Sequence, residues 1–115
     1  MEAWNLTELD APRGRRDPLV LHSGAESRAV LIRLAPGERR GEHQVRERAW
    51  LSVIEGVVEV VAADGSSETW PAGTLATFAP DERHAISAAG GARLLLLLVP
   101  WPGDGHYDPD ELRVH

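Results

Sequence analysis

Short apolar segments, interrupted again and again by glycine and proline, constrain this chain more than any other feature. Pro36-Gly37, Glu55-Gly56, Asp64-Gly65, Pro71-Ala72-Gly73, Pro80-Asp81 and Gly90-Gly91 each supply a positive φ or a fixed turn angle. Between them lie stretches of strand length rich in Val, Ile, Leu and Thr: Leu19 to His22, Ser27 to Leu34, Ala49 to Ile54, Val57 to Ala63, Glu68 to Trp70, Thr74 to Phe78, His84 to Ala88 and Ala92 to Val99. None sustains a helical period, and only Asn5 to Asp10 reads as a short turn or helical start. Regular punctuation of this kind predicts an all-β sandwich or barrel.

A chain of 115 residues has room for one core of ordinary size, since two would each bury too little surface to be stable. One domain over residues 1–115 is expected, with 100–115, rich in proline and glycine, as an extended C-terminal tail. The N-terminus lacks the basic start and apolar run of a signal peptide. Leu94 to Val99, the longest apolar run, is far below the ~20 residues that cross a bilayer. With no cysteine the chain suits a reducing compartment, and a soluble cytoplasmic protein without membrane contact is expected.

Formal net charge is −6 and every cationic side chain is an arginine, leaving no concentrated basic surface for nucleic-acid phosphates. The Arg13, Arg15 and Arg16 cluster lies between Pro12 and Pro18 and reads as a solvated loop. Alternation places Val58, Val60 and Ala62 on one apolar face that should point into the barrel. Around Ala49 to Ile54 both faces carry apolar residues, so an outer apolar set needs a second cover. A homodimer is expected, with Trp50 at its interface. Trp4, Trp70 and Trp101 are ordinary candidates for core or interface positions.

From Gly37 the chain reads GERRGEHQVRERAWLSVIEG, and from Gly73 it reads GTLATFAPDERHAISA. These stretches resemble the two paired motifs of a small single-domain cupin of the RmlC-like kind. Gly37, His43 and Gly56 fill the first motif's glycine, first-histidine and closing-glycine positions, and Gly73 and His84 fill the glycine and histidine of the second. LAPGE at Leu34 to Glu38 and FAPDERHAI at Phe78 to Ile86 add to the likeness. The resemblance implies a double-stranded β-helix, a jelly-roll barrel wrapped around a cavity.

Cupins hold Fe, Mn, Ni, Cu or Zn with both histidines and the glutamate of the first motif and the histidine of the second. Here Val45 stands at the second histidine position and Ala49 at the glutamate position, and Ala79, Asp81 and Ala88 replace the Pro, Gly and Asn of the second motif. Only His43 and His84 remain as metal ligands, and two imidazoles alone bind a divalent ion weakly. A pocket lined by His43, Val45, Glu47, Ala49 and His84 is therefore expected to bind a small molecule, one bearing a carbonyl or carboxylate, with no tightly bound metal as cofactor. Three alternatives stay open. Glu47, on the same strand parity as His43 and Val45, would complete a two-histidine, one-carboxylate site for Zn, Mn, Fe or Ni; Glu42 and His22 are further candidates, and Glu47 has a plainer reading as a rim partner of Arg46 or Arg48. A histidine would serve a metal-free enzyme as general acid or base. A structural or regulatory homodimer needs no pocket at all. His106 and His115 read as solvated.

Overall fold

The computed structural model describes residues 1–9, 19–43 and 47–99; the side chains of 41–43 are not described. The Arg13–Arg16 cluster, Val45, Arg46, Trp101, His106, His115 and the whole expected tail lie outside these residues.

Eight strands follow in order: β1 (Leu19–Ser23), β2 (Arg28–Leu34), β3 (Arg39–His43), β4 (Ala49–Ala62), β5 (Ser67–Pro71), β6 (Leu75–Phe78), β7 (His84–Ser87) and β8 (Ala92–Leu98). Every pairing is antiparallel. One sheet runs β1-β2-β8-β4-β6 and the other β5-β4-β7-β3, so β4 belongs to both: Ala49 to Gly56 pairs with β6 and β8, and Val57 to Ala62 with β5 and β7. This is the jelly-roll arrangement of a double-stranded β-helix.

β4 corrects one expectation. Glu55-Gly56 does not separate two strands; it lies within a single strand of 14 residues. The register against β8 slips between Val53 and Glu55, a bulge that bends the strand and changes which parity faces inward. Ala49, Leu51 and Val53 are buried before it, Val58 and Val60 after it. Gly56 has φ +83°, and a Cβ there would lie 2.3 Å from the Gly91 carbonyl oxygen, so the corner accepts only glycine. The paired strand turns beside it: Gly73 donates its N–H to the Val53 carbonyl at 2.8 Å, and Val53 donates to that of Thr74 at 2.9 Å.

β3 is the second correction. Its sequence, RRGEH, carries no apolar residue and gave no strand signal, yet it pairs with β7 as an edge strand, where charged side chains are tolerated on the exposed side. The turn before β3 and the turn before β7 share one construction. Glu38 accepts a hydrogen bond from the Ala35 N–H through Oε1, and Glu82 accepts one from Ala79 in the same way. Asn5 organises the expected turn near the N-terminus, its Oδ1 accepting from both the N–H and the hydroxyl of Thr7.

Inner faces of both sheets share one apolar cluster that includes Ile32, Leu34, Leu51, Val53, Val58, Val60, Ile86 and Leu94. Leu31, on the opposite face of β2, is also fully buried. Close by on that outer face, Arg93 is only 9% exposed and donates through its guanidinium to the carbonyls of Leu6 and Leu9, with Glu55 at 3.7 Å. The N-terminal segment therefore lies over this part of the outer face. Among the described residues no helix is long and apolar enough to cross a membrane.

Candidate functional site

The end of the barrel away from the Gly56 corner is where polar side chains enter the interior. Across the first sheet, Arg28, Leu98, Ala49 and Phe78 stand opposite one another in a single row. Across the second sheet the corresponding row is His84 and Ala62, with the backbone of His43 paired to that of His84. Residues directly opposite on antiparallel strands project from the same face. Leu98, Ala49 and Phe78 belong to the core cluster, which makes this the inner face of the first sheet.

A ring contact closes the two sheets over each other here. Phe78 and His84 stack with centroids 3.8 Å apart and planes 4° from parallel, and Trp70 tilts against Phe78 at 5.9 Å. Packing on Phe78 fixes the plane of the imidazole, so the direction of its ring nitrogens is set before any ligand arrives. His84 is 8% exposed.

Glu47 continues the inward parity of Ala49, Leu51 and Val53 and is 2% exposed. A carboxyl taken this far out of water carries a large desolvation cost, which makes its position informative. Arg48, of opposite parity, reaches outward and donates through Nη1 to the Thr77 hydroxyl at 3.1 Å. The rim pairing of Glu47 with Arg48 is thus replaced by burial of Glu47. His22 is exposed on β1 and stands opposite Ala29, on the outer parity, so it does not join the group.

Two inward-facing residues had not been expected. Arg28 lies opposite Leu98, and Arg40 lies opposite Ile86, another member of the core cluster. Arg28 was legible: counting back by two from the apolar Leu34, Ile32 and Val30 reaches it. Arg40 was not, because nothing in RRGEH announced a strand. Of the expected pocket, the structure brings Glu47, Ala49 and His84 to one end of the interior and sets the backbone of His43 opposite that of His84.

No protein-family model matches the sequence, and neither does any curated protein. Solved structures match it well. A conserved protein with a double-stranded β-helix domain from Klebsiella pneumoniae superposes with a TM-score of 0.77 at 19% identity, covering 87% of this chain and 90% of that one. An RmlC-like cupin from Desulfovibrio desulfuricans gives 0.77 at 19% identity over 87% and 97%. A cupin superfamily protein from Desulfitobacterium hafniense gives 0.73 at 15% over 83% and 86%. The fold is that of a cupin.

That fold gives the departures from the motifs a physical setting. The cupin glutamate position is held by Ala49, whose methyl group is packed into the apolar cluster and offers no lone pair. The four-donor metal centre of the family does not fit this interior. Among the residues with described side chains, no three His, Asp or Glu groups converge on one point. Among the described side chains, what this end of the barrel offers is one buried carboxyl, one oriented imidazole, two guanidinium groups and an apolar floor.

Proposed function

We propose that this cupin domain binds a small organic molecule at the end of the barrel where Arg28, Glu47 and His84 face inward, without a tightly held metal. The observation that carries the reading is the burial of Glu47 and His84 beside the apolar floor of Ala49, Phe78 and Leu98. Ionisable groups placed inside an apolar wall are costly to stability, and binding sites are where proteins keep them. Glu47 offers an acceptor, and His84 offers a donor or acceptor held in plane by Phe78. His43 and Val45, which the motif resemblance assigns to the pocket, belong to the same proposed lining. Residence in the cytoplasm belongs to the same proposal.

Metal content measured on protein purified without a chelating tag tests this reading. Substoichiometric metal is expected. Stoichiometric Zn, Mn, Fe or Ni that is lost in both His43→Ala and Glu47→Gln would replace it with a two-histidine, one-carboxylate metal site.

A homodimer is the second part of the proposal, supported by the outer face of the first sheet. Trp50 is 38% and Leu75 64% exposed there, with half-buried Leu95 and Leu97 next to them: Leu97 stands opposite Trp50, and Leu75 and Leu95 flank Ser52. A contiguous apolar patch of this kind is covered most economically by its own copy. Sedimentation at micromolar concentration is expected to show a dimer, and Trp50→Glu a monomer. A species of 12.5 kDa alone for the unaltered chain would overturn it.

A further inference from the structure

The outer face of the first sheet carries one long apolar row, and only one end of it is bare. Leu19, Leu31, Leu95, Ser52 and Leu75 stand opposite one another across β1, β2, β8, β4 and β6. Leu75, at the β6 edge, is 64% exposed, whereas Leu19, at the β1 edge, is half-buried and Leu31 beside it is 0% exposed. Neighbours within a sheet cover the flanks of a side chain and leave its tip free, so the burial of Leu31 requires a cover from above. Arg93, the diagonal neighbour of Leu31 on β8, shows what supplies it. Its Nη1 donates to the carbonyls of Leu6 and Leu9, at the end of a single turn in which the N–H groups of Glu8 and Leu9 donate to the Asn5 carbonyl. Within residues 1–9, Leu6 and Leu9 are half-buried and the rest are exposed. Among the described hydrogen bonds, Arg93 alone joins this segment to the barrel. A segment held by so few bonds opens at far lower cost than the barrel beneath it.

We propose that residues 1–9 act as a strap, with Arg93 as its clasp, which keeps the Leu31 end of the outer face from taking up a second copy of the chain. With the strap closed, the apolar surface open to a partner is the patch around Trp50, Leu75, Leu95 and Leu97. With the strap lifted, Leu31 and Leu19 continue the same row to the β1 edge, and the wider face binds another copy. The identity of the partner rests on the dimer reading above; the strap adds a limit to how far that association goes. Arg93 is a positioning residue here: Glu55, exposed and 3.7 Å from its Nε, steadies the guanidinium from the strand side while Nη1 holds the two carbonyls.

The test is sedimentation of the full chain at micromolar concentration together with hydrogen exchange. Arg93→Met keeps an unbranched side chain and removes its donors. It is expected to show at least about twice the weight-average mass of the unaltered chain, with exchange quickened in residues 1–9 while β4 and β8 stay protected. Leu6→Asp, which unseats the strap without touching the barrel, is expected to do the same. Arg93→Lys retains a charged donor and is expected to fall between the unaltered chain and Arg93→Met. Quickened exchange in residues 1–9 with unchanged mass would overturn the strap, and unchanged exchange there would overturn Arg93 as its clasp. A larger mass with exchange quickened throughout β4 and β8 in both Arg93→Met and Leu6→Asp would be association of an unfolded barrel and would overturn the proposal too. A 12.5 kDa species for the unaltered chain would end the dimer reading, whereas a rise in mass on Arg93→Met would still uphold the strap.

Discussion

At the corner where β4 passes from one sheet to the other, Gly56 and Gly91 meet with no room for a methyl group, and Leu34, Val53, Val58 and Ala92 fill the interior with apolar atoms alone. At the opposite end the same two sheets present Arg28, Glu47 and His84 to the inside, with Arg40 one step deeper. The first end is built as a close-packed core, where shape decides and nothing needs a partner. The second places groups that would rather be in water against apolar walls, which weakens the fold, and it is there that ligand recognition is proposed. Substitutions should therefore alter stability at the first end and binding at the second.

The largest effect is expected at the corner. Gly56→Ala forces a side chain into positive φ and against a backbone oxygen that has no freedom to move, and it should cost about 4 kcal/mol or more in urea denaturation. Gly65→Ala is the control, with φ +88° but open space around it, and should cost only about 1 kcal/mol. Equal losses at the two sites would mean that close packing at the corner contributes nothing.

Arg93→Ala comes next. It removes a nearly buried guanidinium from the carbonyls of Leu6 and Leu9, and a loss of about 2 kcal/mol is expected, with faster hydrogen exchange in residues 1–9. Unchanged exchange in that segment would show that other contacts hold it down.

At the polar end the expected order reverses. Glu47→Gln keeps the shape of the side chain and removes the cost of burying a charge, so stability should change by less than about 1 kcal/mol. The proposed binding of a small molecule is where the change should be felt instead. A large loss of stability with no change in ligand affinity would place Glu47 with the structural core and erase the contrast between the ends.

The smallest effect belongs to the β4–β5 turn. Asp64 accepts hydrogen bonds from the hydroxyl and the N–H of Ser66, and these hold its carboxyl below the ordinary value of 3.8. A depressed carboxyl contributes stability that is present above its unfolded pKa and is lost as pH falls through its folded one. Asp64→Asn should therefore lower stability slightly at neutral pH, flatten the acid limb, and match the unaltered chain well below 3.8. A loss of equal size at neutral and at low pH would count against the assignment.

Much of the architecture could be read directly. Gly37 and Gly73 have the positive φ that their turns require, and Val58 and Val60 face inward as alternation demands. His84 could be placed because its spacing from Gly73 is that of the cupin motif. β3 stayed hidden because an edge strand gets its stability from backbone pairing with β7 and needs no apolar signature of its own. The continuity of β4 stayed hidden because Glu55-Gly56 reads locally as a turn, and only the approach of Gly91 shows that the glycine serves a bend within a strand.

By itself, then, the sequence determined the all-β class, the positions of most turns and the loss of the usual cupin donors at Val45 and Ala49, because each depends on one residue type at one local position. Tertiary structure alone decided that Glu47 is buried, that Phe78 lies on His84, and that Arg40 turns inward opposite Ile86. Those facts depend on how strands distant in sequence are paired, and inter-strand register, set by the whole sheet, is what brings these side chains onto one face.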